Sequence, residues 1–208
     1  MKVIFIRHGE STGNAGIPSK NLALLELTRT GQSQAEEIAA GWLQAPDLIV
    51  SSPYLRTQQT AAPTMERFSS APVEVWPIQE FTYLEPSRWN GTLSADRKPH
   101  IVAYWSAADP AYCDGPGAES FTTLLDRARN MLERLAALPA DWFVLIFSHG
   151  QFIHAVRMLI LHPYRTDAER MRLFWRTDGL PSVRNGELIA AECVGGEWSL
   201  KNCAENHG

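Results

Sequence analysis

Two histidines and two arginines lie at or just beyond the ends of short apolar runs in this 208-residue chain. Runs of this kind, rich in β-forming residues, predict strands that are buried on both faces. The runs are 3–6, 48–50 and 143–147, and the residues that follow them are Arg7, His8, Arg56 and His149. An open parallel sheet binds ligands outside the carboxyl ends of its strands. We therefore expect these side chains to meet at one edge of the sheet and to form a site for an anion.

The composition fits one domain with no general attraction for polyanions. Apolar residues make up 45% of the chain, which is ample for a core, and the net charge is only −4. Any anion site must therefore be local, and neither a nucleic-acid partner nor a membrane partner is predicted. We predict a single domain over residues 1–208, and the composition leaves its oligomeric state open.

Cysteine usage and the first residues favour a reducing compartment. Cys113, Cys193 and Cys203 are odd in number and include no C-x-x-C pair, so we interpret them as structural thiols. The apolar run after Lys2 has four residues, too few for a signal-peptide core, and no run approaches membrane-spanning length. We expect a cytoplasmic location.

Capping signals place a helix directly after the second apolar run. Ser52 as N-cap with Pro53 at the first helical position predicts a helix that ends near Phe68. Arg56 then lies in the first turn, close to a helix N-terminus that itself favours anions.

The alternation of strands and helices predicts an α/β fold. Thr28 is expected to open a helix that Pro46 ends, and Ser120 to cap a long amphipathic helix. Residues 187–193 and 197–200, separated by two glycines, predict a terminal hairpin that adds an antiparallel edge. The predicted architecture is three-layer α/β/α, a mostly parallel sheet with helices on both faces and an antiparallel edge strand.

The segment of residues about 81–117 is the least regular part of the sequence, with several Pro and Gly residues and with Tyr83, Trp89, Tyr104, Trp105 and Tyr112. One interpretation is an inserted surface segment packed by its own aromatic rings. The other is a lid or wall that gives a pocket its selectivity. Both can hold at once, and we expect an irregular, lid-like segment here.

Five short motifs follow one another between residue 3 and about residue 155. They are Arg7-His8-Gly9-Glu10-Ser11-Thr12-x-Asn14, Leu27-Thr28-x-x-Gly31-x-x-Gln34-Ala35, Ser52-Pro53-x-x-Arg56-Thr57-x-x-Thr60-Ala61, Gly117-x-Glu119-Ser120 and Ser148-His149-Gly150. A lone Arg-His-Gly is a weak signal, whereas the ordered set is specific. Together the motifs resemble the histidine phosphatase superfamily, the phosphoglycerate-mutase-like enzymes, and point to its phosphatase branch.

The resemblance implies a role for each residue at the strand ends. His8 would be the nucleophile that becomes transiently phosphorylated. Arg7, Arg56 and His149 would form a phosphate pocket, with Asn14 beside it. The segment that contains Glu80 would supply a carboxylic proton donor.

The chemistry of phosphoryl transfer independently favours these residue types. A neutral imidazole can attack phosphorus, and cations help because they neutralise the non-bridging oxygens. Arginine remains charged, and its planar fork grips two oxygens at once. The second histidine would be the cation that gains most as charge rearranges. A carboxyl group whose pKa is raised by burial can protonate the leaving alkoxide and later take a proton from water.

Two carboxylates compete for the role of proton donor. The family usually has a Glu followed a few residues later by F-G-x-W-E-G, whereas residues 79–91 are Gln-Glu-Phe-Thr-Tyr-Leu-Glu-Pro-Ser-Arg-Trp-Asn-Gly. We favour Glu80, because Phe81 and the preceding strand would hold it in a drier site that raises its pKa, and Glu85 is the competitor. Residues 79–91 thus differ from the family pattern. Because this segment is expected to line the pocket, the sequence does not identify the substrate.

The other histidines carry no comparable context. His149 and His154 lie five positions apart and would face different sides of a helix, unlike an i, i+4 zinc pair. We interpret His154 as structural and expect neither a metal nor another cofactor. His100, His162 and His207 have no supporting neighbours in the sequence.

The favoured function is a metal-independent phosphomonoester phosphatase that acts through a phosphohistidine on a small phosphorylated substrate and releases inorganic phosphate. A phosphoglycerate mutase would use the same chemistry, although the chain looks shorter than the cofactor-dependent mutases it resembles. A third possibility is a non-catalytic phosphate-ligand or protein-binding module that lost the acid. Retention of both histidines and both arginines argues against this last interpretation.

Overall fold

A six-stranded sheet forms the centre of the computed structural model, which describes residues 1–17, 19, 21–178 and 183–201. In chain order the strands are β1 (Lys2–Arg7), β2 (Leu48–Ser51), β3 (Val73–Val75), β4 (Phe143–Ser148), β5 (Leu188–Val194) and β6 (Glu197–Lys201). Across the sheet their order is β3-β2-β4-β1-β5-β6. The first four of these are parallel, whereas β5 runs antiparallel to β1 and β6 antiparallel to β5. The predicted terminal hairpin is thus the antiparallel edge.

Helices cover both faces of the sheet. They are α1 (Arg29–Ala40), α2 (Leu55–Arg67), α3 (Pro86–Trp89), α4 (Ser94–Ala107), α5 (Phe121–Ala136), α6 (Gly150–Leu161) and α7 (Asp167–Asp178), with a 3₁₀ turn at Leu22–Leu24. Side chains of β1 alternate between two cores: Val3 and Phe5 pack with helices α4 to α7, and Ile4 and Ile6 pack with α1 and α2. The predicted three-layer α/β/α architecture is confirmed.

The parallel register brings the strand ends to one line. Arg7 of β1 pairs with Ser148 of β4, and Ser51 of β2 pairs with Phe147. The three strands therefore end within about one residue of each other, and the residues that follow emerge at the same edge of the sheet.

Side-chain caps set the start of two helices as expected. Thr28 Oγ1 accepts the N–H of Gly31 at 3.1 Å at the start of α1, and Ser120 Oγ accepts that of Thr123 at 3.1 Å at the start of α5. The structure does not support Pro46 as the end of α1, because that helix ends earlier, at Ala40.

The predicted start of α2 is wrong. Its N-cap is Tyr54, not Ser52, and the helix begins at Leu55. The hydroxyl of Ser52 is committed elsewhere, since it lies 2.8 Å from Nε2 of His149. Arg56 nevertheless remains in the first turn of α2, as the sequence predicted.

Residues 81–117 are more regular than expected, because they contain α3 and the 14-residue helix α4. Pro99 inside α4 obscured the helical pattern in the sequence. Tyr104 and Trp105 on α4 are buried and contact the ring of Phe81 at 6.4 and 6.3 Å between centroids. This packing anchors the segment to the core, and its role as a lid stays a prediction.

The described cysteines differ in exposure, and the described helices are too short or too polar to span a membrane. Cys113 is exposed and Cys193 is buried, and both are free thiols, while Cys203 lies outside the described residues. Within the described ranges, no helix is both long and apolar enough to cross a bilayer. The cytoplasmic location stays a prediction.

Candidate active site

The two histidines at the strand ends face each other across one arginine. His8 follows β1, His149 is the N-cap residue of α6 after β4, and their ring centroids are 5.1 Å apart. Arg56 donates from Nε to His8 Nε2 at 3.0 Å, and its Nη2 lies 2.9 Å from His149 Nδ1. The structure therefore brings together the residues that the sequence placed at the strand ends.

His8 is held as a neutral imidazole with its Nε2 lone pair towards Arg56. Its Nδ1 lies 2.7 Å from the carbonyl oxygen of Gly9, to which it donates, so the proton is on Nδ1. The side chain is 2% exposed, and burial, reinforced by the charges of Arg56 and Arg7, lowers its pKa to about 3. The Gly9 carbonyl opposes this shift. A neutral ring with an unprotonated Nε2 is the nucleophilic form of histidine.

His149 is fully buried and also neutral. Its Nε2 donates to Ser52 Oγ at 2.8 Å, and its Nδ1 accepts from Arg56. Burial, followed by the charge of Arg56, holds the pKa of His149 well below its usual range. A phosphoryl dianion brought against the ring would raise this pKa, since an opposite charge favours the protonated form. The predicted positive charge on His149 thus depends on the substrate.

Arg56 also contacts residues beyond the two histidines. Besides the two histidines, its Nη1 donates to the carbonyl oxygen of Leu22 at 2.7 Å, and its guanidinium carbon lies 4.9 Å from the ring centre of Tyr54. The pKa of Arg56 is lowered mainly by burial, while Glu80 and Tyr54 act in the opposite direction. For His8 Nε2 to attack, the Nε–H of Arg56 must leave the lone pair of His8. Oxygens of a phosphoryl group offer that donor a stronger, charge-assisted acceptor.

Arg7 has an unused donor beside the histidines. Its Nη1 donates to the carbonyl oxygen of Val183 at 2.6 Å, but its Nε is buried and has no hydrogen-bond partner among the described residues. A side chain at Gly150 would place its Cβ only 3.3 Å from that Nε, so the glycine leaves the position open. A buried N–H without an acceptor is costly, and a phosphoryl oxygen would satisfy it.

Glu80 lies in the same cavity as Arg7, His8 and Arg56. Its Oε1 accepts the backbone N–H groups of Phe81 and Gln151, each at 3.1 Å, and Gln151 is in the first turn of α6. Burial raises the pKa of Glu80, although the two arginines and these two N–H groups counteract the shift. A carboxyl group that is protonated more readily than usual is suited to donate a proton.

Glu85 occupies a different environment. It forms an ion pair with Arg88 at 3.1 Å, accepts the hydroxyl of Ser87, and is not among the residues that line this cavity. Of the two candidate acids, the structure brings only Glu80 to the histidines.

Asn14 lies at the exposed rim of the cavity. Its Oδ1 accepts the backbone N–H of Ser11 at 3.1 Å, the hydroxyl of Ser11 at 2.9 Å and the Nδ2–H of Asn185 at 3.1 Å. These bonds use the oxygen, so the amide nitrogen is the group that Asn14 can offer to an anion.

Asn185 is a part of the site that the sequence did not reveal. Its Nδ2 donates to the carbonyl oxygens of His8 at 3.0 Å and Gly9 at 3.3 Å, in addition to Asn14. Asn185 thereby fixes the peptide that carries the nucleophile. No periodic pattern or motif marks it, because it is a single polar residue 177 positions from His8.

The Thr-x-x-Gly-x-x-Gln motif supports the loop after β1. Thr28 Oγ1 donates to a carboxylate oxygen of Glu10 at 2.7 Å, and Gln34 Oε1 accepts the N–H of Glu10 at 2.8 Å. A Cβ on Gly31 would lie 2.0 Å from the Glu10 carbonyl oxygen, and one on Gly9 would lie 2.5 Å from that of Gly31. Only glycines allow the loop and the start of α1 to approach this closely.

The cavity has a volume of about 220 Å³ and two kinds of wall. One group of lining residues is Arg7, His8, Arg56 and Glu80. The other comes from the loop after β1 and from residues 81–117, and it includes Asn14, Ile17, Leu22, Leu25, Phe81, Thr82, Gly91, Thr92 and Arg97.

The remaining histidines lie away from this cavity. The ring of His154 packs 4.4 Å from that of Phe174, and burial lowers its pKa to about 4. His100 packs on Trp89, His162 ends α6, and His207 lies outside the described residues. Over the part of the chain that the structure describes, no group of three or more His, Cys, Asp or Glu side chains is arranged to hold a metal ion.

Comparisons with known proteins agree with this architecture. The chain is 28% identical over 165 residues to the metal-independent phosphoserine phosphatase of Arabidopsis thaliana, an alignment that covers 76% of this chain and 68% of that one. It is 29% identical over 173 residues to the glucosyl-3-phosphoglycerate phosphatase of Mycolicibacterium vanbaalenii, covering 77% and 74%. A solved structure of a mycobacterial glucosyl-3-phosphoglycerate phosphatase with VO3 superposes with a TM-score of 0.75 at 24% identity, over 97% of each chain.

A family model matches almost the whole chain. Residues 3–203 match the histidine phosphatase superfamily (branch 1), so the resemblance of the five motifs is confirmed. The chain belongs to the histidine phosphatase superfamily (branch 1) and is a phosphohydrolase of that family.

Proposed function

We propose that the protein is a metal-independent phosphatase of small phosphomonoesters, acting through a phosphohistidine on His8. One observation carries the proposal. The Nε2 lone pair of His8, whose Nδ1 is bonded to the Gly9 carbonyl, lies in one cavity with two arginines and a carboxyl group of raised pKa. That combination supplies a nucleophile, charge neutralisation and a proton donor.

In the first step, the phosphoryl oxygens accept hydrogen bonds from Arg7 and Arg56, and the guanidinium of Arg56 leaves His8. His8 Nε2 then forms a bond to phosphorus while the bond from phosphorus to the ester oxygen breaks. Glu80 gives its proton to the departing alkoxide. The Gly9 carbonyl, which accepts Nδ1–H, stabilises the positive charge that develops on the ring.

In the second step, water replaces the alcohol. The Glu80 carboxylate takes a proton from water while the water oxygen attacks phosphorus, and the bond from phosphorus to His8 breaks. Inorganic phosphate leaves, His8 is neutral again and Glu80 is again protonated. The same carboxyl group therefore serves as acid and then as base.

Protein groups alone supply positive charge where a metal ion would otherwise be needed. Arg7 and Arg56 are cationic, His149 becomes so against a dianion, and the N-terminus of the 12-residue helix α6 lies at the same place. We therefore expect inorganic phosphate to bind without a metal and to inhibit competitively.

A small substrate fits the dimensions of the site. A cavity of about 220 Å³ holds roughly the volume of seven water molecules, enough for a phosphoryl group and a few further atoms. Relatives named for phosphoserine and for glucosyl-3-phosphoglycerate support a small phosphomonoester.

The test is an assay of alkyl, sugar, nucleotide and aryl phosphates in the presence of a chelator, with trapping of the intermediate. We expect turnover in chelator and, from an aryl phosphate with the Glu80→Gln variant, an acid-labile, base-stable phosphoenzyme. Activity that disappears with chelator and returns with a divalent ion would contradict the proposal. Transfer of the phosphoryl group to a bound acceptor in place of water would identify a mutase instead.

A further inference from the structure

Arg97 is a cation in the cavity wall that the reaction does not use. It lies in the first turns of α4 and lines the cavity. Its Nε is buried and has no hydrogen-bond partner among the described residues. No ion pair formed by those residues includes Arg97.

Three acidic side chains of the same segment are committed to other groups. Asp96, its neighbour in the chain, accepts the backbone N–H of Leu93 at 3.2 Å and caps α4. Glu85 and Asp114 both pair with Arg88, at 3.1 and 2.6 Å. The guanidinium of Arg97 therefore remains available to an acceptor from outside the protein.

The charge of Arg97 exceeds what a phosphoryl group requires. Arg7 and Arg56 already match the two negative charges of a phosphomonoester at the strand ends, where His8 fixes the position of phosphorus. Arg97 belongs instead to the segment 81–117, and the lining of the same cavity includes the apolar Ile17 and Leu25. Arg97 is partly buried, and a buried Nε–H without an acceptor among such neighbours favours an anionic partner.

We propose that Arg97 binds a second anionic group of the substrate, so that the preferred substrates are small phosphomonoesters bearing a carboxylate or a second phosphate. This inference rests on the proposed function and specifies its substrate class. Arg97 contacts the non-reacting end of the substrate and so determines specificity, whereas Arg7 and Arg56 bind the group that is transferred.

The experiment compares two substrates that differ in one group: phosphoglycolate, which has a carboxylate, and ethyl phosphate, which has a methyl in its place. The wild-type protein should prefer phosphoglycolate. Arg97→Gln should lower the ratio of kcat/KM values for the two substrates by about 10- to 100-fold, the scale of a lost charge-assisted hydrogen bond. Most of the loss should appear in KM for phosphoglycolate, and Arg97→Lys should restore part of it.

The matched control is Arg88→Gln, which removes the same charge from the same segment. Arg88 is half exposed, is paired with Glu85 and Asp114, and does not line the cavity. The substrate ratio of this variant should equal that of the wild type. Ethanediol bisphosphate is a third substrate, and a larger Arg97→Gln effect on it than on phosphoglycolate would assign the second anion as a phosphate.

A binding measurement separates this inference from the proposed function. Calorimetric titration of phosphoglycolate and ethyl phosphate into His8→Ala, with and without Arg97→Gln, needs no turnover. If the wild type hydrolyses neither these esters nor any alkyl, sugar, nucleotide or aryl phosphate while Arg97 still favours phosphoglycolate in binding, the proposed reaction is wrong and the role of Arg97 stands. An unchanged substrate ratio in Arg97→Gln, or an equal loss with both esters in a variant whose melting temperature matches the wild type, would overturn the role of Arg97.

Discussion

The strand ends and the segment 81–117 line one cavity, and different interactions hold them in place. At the strand ends, His8, Arg56 and His149 are at most 5% exposed and joined by directed hydrogen bonds of 2.9 and 3.0 Å. The segment 81–117 is anchored by ring packing instead. Tyr104 and Trp105 contact each other at 5.3 Å between centroids, and their Oη and Nε1 have no hydrogen-bond partner among the described residues.

This difference indicates that the strand ends carry out catalysis and that the segment 81–117 selects the substrate. Directed hydrogen bonds fix atoms to within fractions of an ångström, which the transfer of a phosphoryl group requires. Ring packing tolerates changes of sequence provided that the total side-chain volume is kept, which suits a wall that differs with the substrate. Substitutions at the strand ends should therefore lower kcat, whereas those in the segment 81–117 should alter KM and the choice of substrate.

The largest expected effect is that of His8→Ala. Loss of the nucleophile should lower kcat by about 10⁴-fold or more, as for other covalent catalysts, while the fold is retained. Steady-state kinetics, with circular dichroism to check the fold, measure this. His100→Ala, at an exposed position of α4 outside the cavity, is the matched control and should stay close to the wild type. A His8→Ala protein with near-normal turnover would rule out the proposed mechanism.

Glu80→Gln should give the next largest effect, and it should depend on the leaving group. An alkyl phosphate needs a proton for its alkoxide, so its turnover should fall by about 100-fold or more. Formation of the phosphoenzyme from an aryl phosphate of low phenol pKa needs no such proton and should survive.

Glu85→Gln is the matched control for the acid, because it makes the same change at the competing residue. Its activity should remain near that of the wild type with both substrates. If Glu85→Gln instead showed the dependence on leaving group and Glu80→Gln slowed both substrates equally, the proton donor would be Glu85.

The sequence predicted the strand ends well because local patterns determine them. A consecutive apolar run followed by a polar residue defines where a buried strand stops, and a parallel register such as Arg7 opposite Ser148 then aligns the ends. The prediction that Arg56 lies in the first turn of α2 is correct although the predicted N-cap is wrong. The helix begins at Leu55, and this shift leaves Arg56 within the first turn.

The features that the sequence missed depend on contacts between distant residues. Ser52 bonds to His149 across 97 positions, and Asn185 bonds to His8 across 177. Helix α7 carries aromatic and charged residues in no clear order, and Trp175 on it stacks at 5.4 Å on Trp105, far away in the chain. Such partners appear only once the fold has brought them together.

A smaller effect is expected for Asn185→Ala, which tests whether directed bonds behind the nucleophile matter. Each hydrogen bond contributes about 1 kcal/mol, so the loss of the two bonds to the His8 and Gly9 carbonyls should lower kcat by at most about 30-fold. KM and the ratio between alkyl and aryl phosphates should change little, because Asn185 acts on His8 and not on the leaving group. Gln32→Ala, on the exposed side of α1, is the control. A change confined to KM would contradict this positioning role.

The smallest expected effect is on stability against acid, and it follows from the burial of neutral histidine at the strand ends. In the unfolded chain His8 takes up a proton near its usual pKa of about 6.5, whereas in the folded protein it does so only near a pKa of about 3. The unfolded state thus binds more protons between these values, and the contribution of His8 to the free energy of unfolding falls as the pH drops below about 6.5. At 1.36 kcal/mol per pH unit, the loss from His8 at pH 5 is about 2 kcal/mol. Urea denaturation at pH 7 and pH 5 should therefore show that the free energy of unfolding of His8→Asn, relative to that of the wild type, is about 2 kcal/mol higher at pH 5 than at pH 7.

The raised pKa of Glu80 acts with the opposite sign, since the contribution of Glu80 to stability falls as the pH rises through that pKa. This contribution is common to both proteins and cancels in the comparison. A difference between His8→Asn and wild type that did not vary with pH would mean that His8 has the same pKa in the folded and unfolded states, which would contradict the lowering of its pKa by burial.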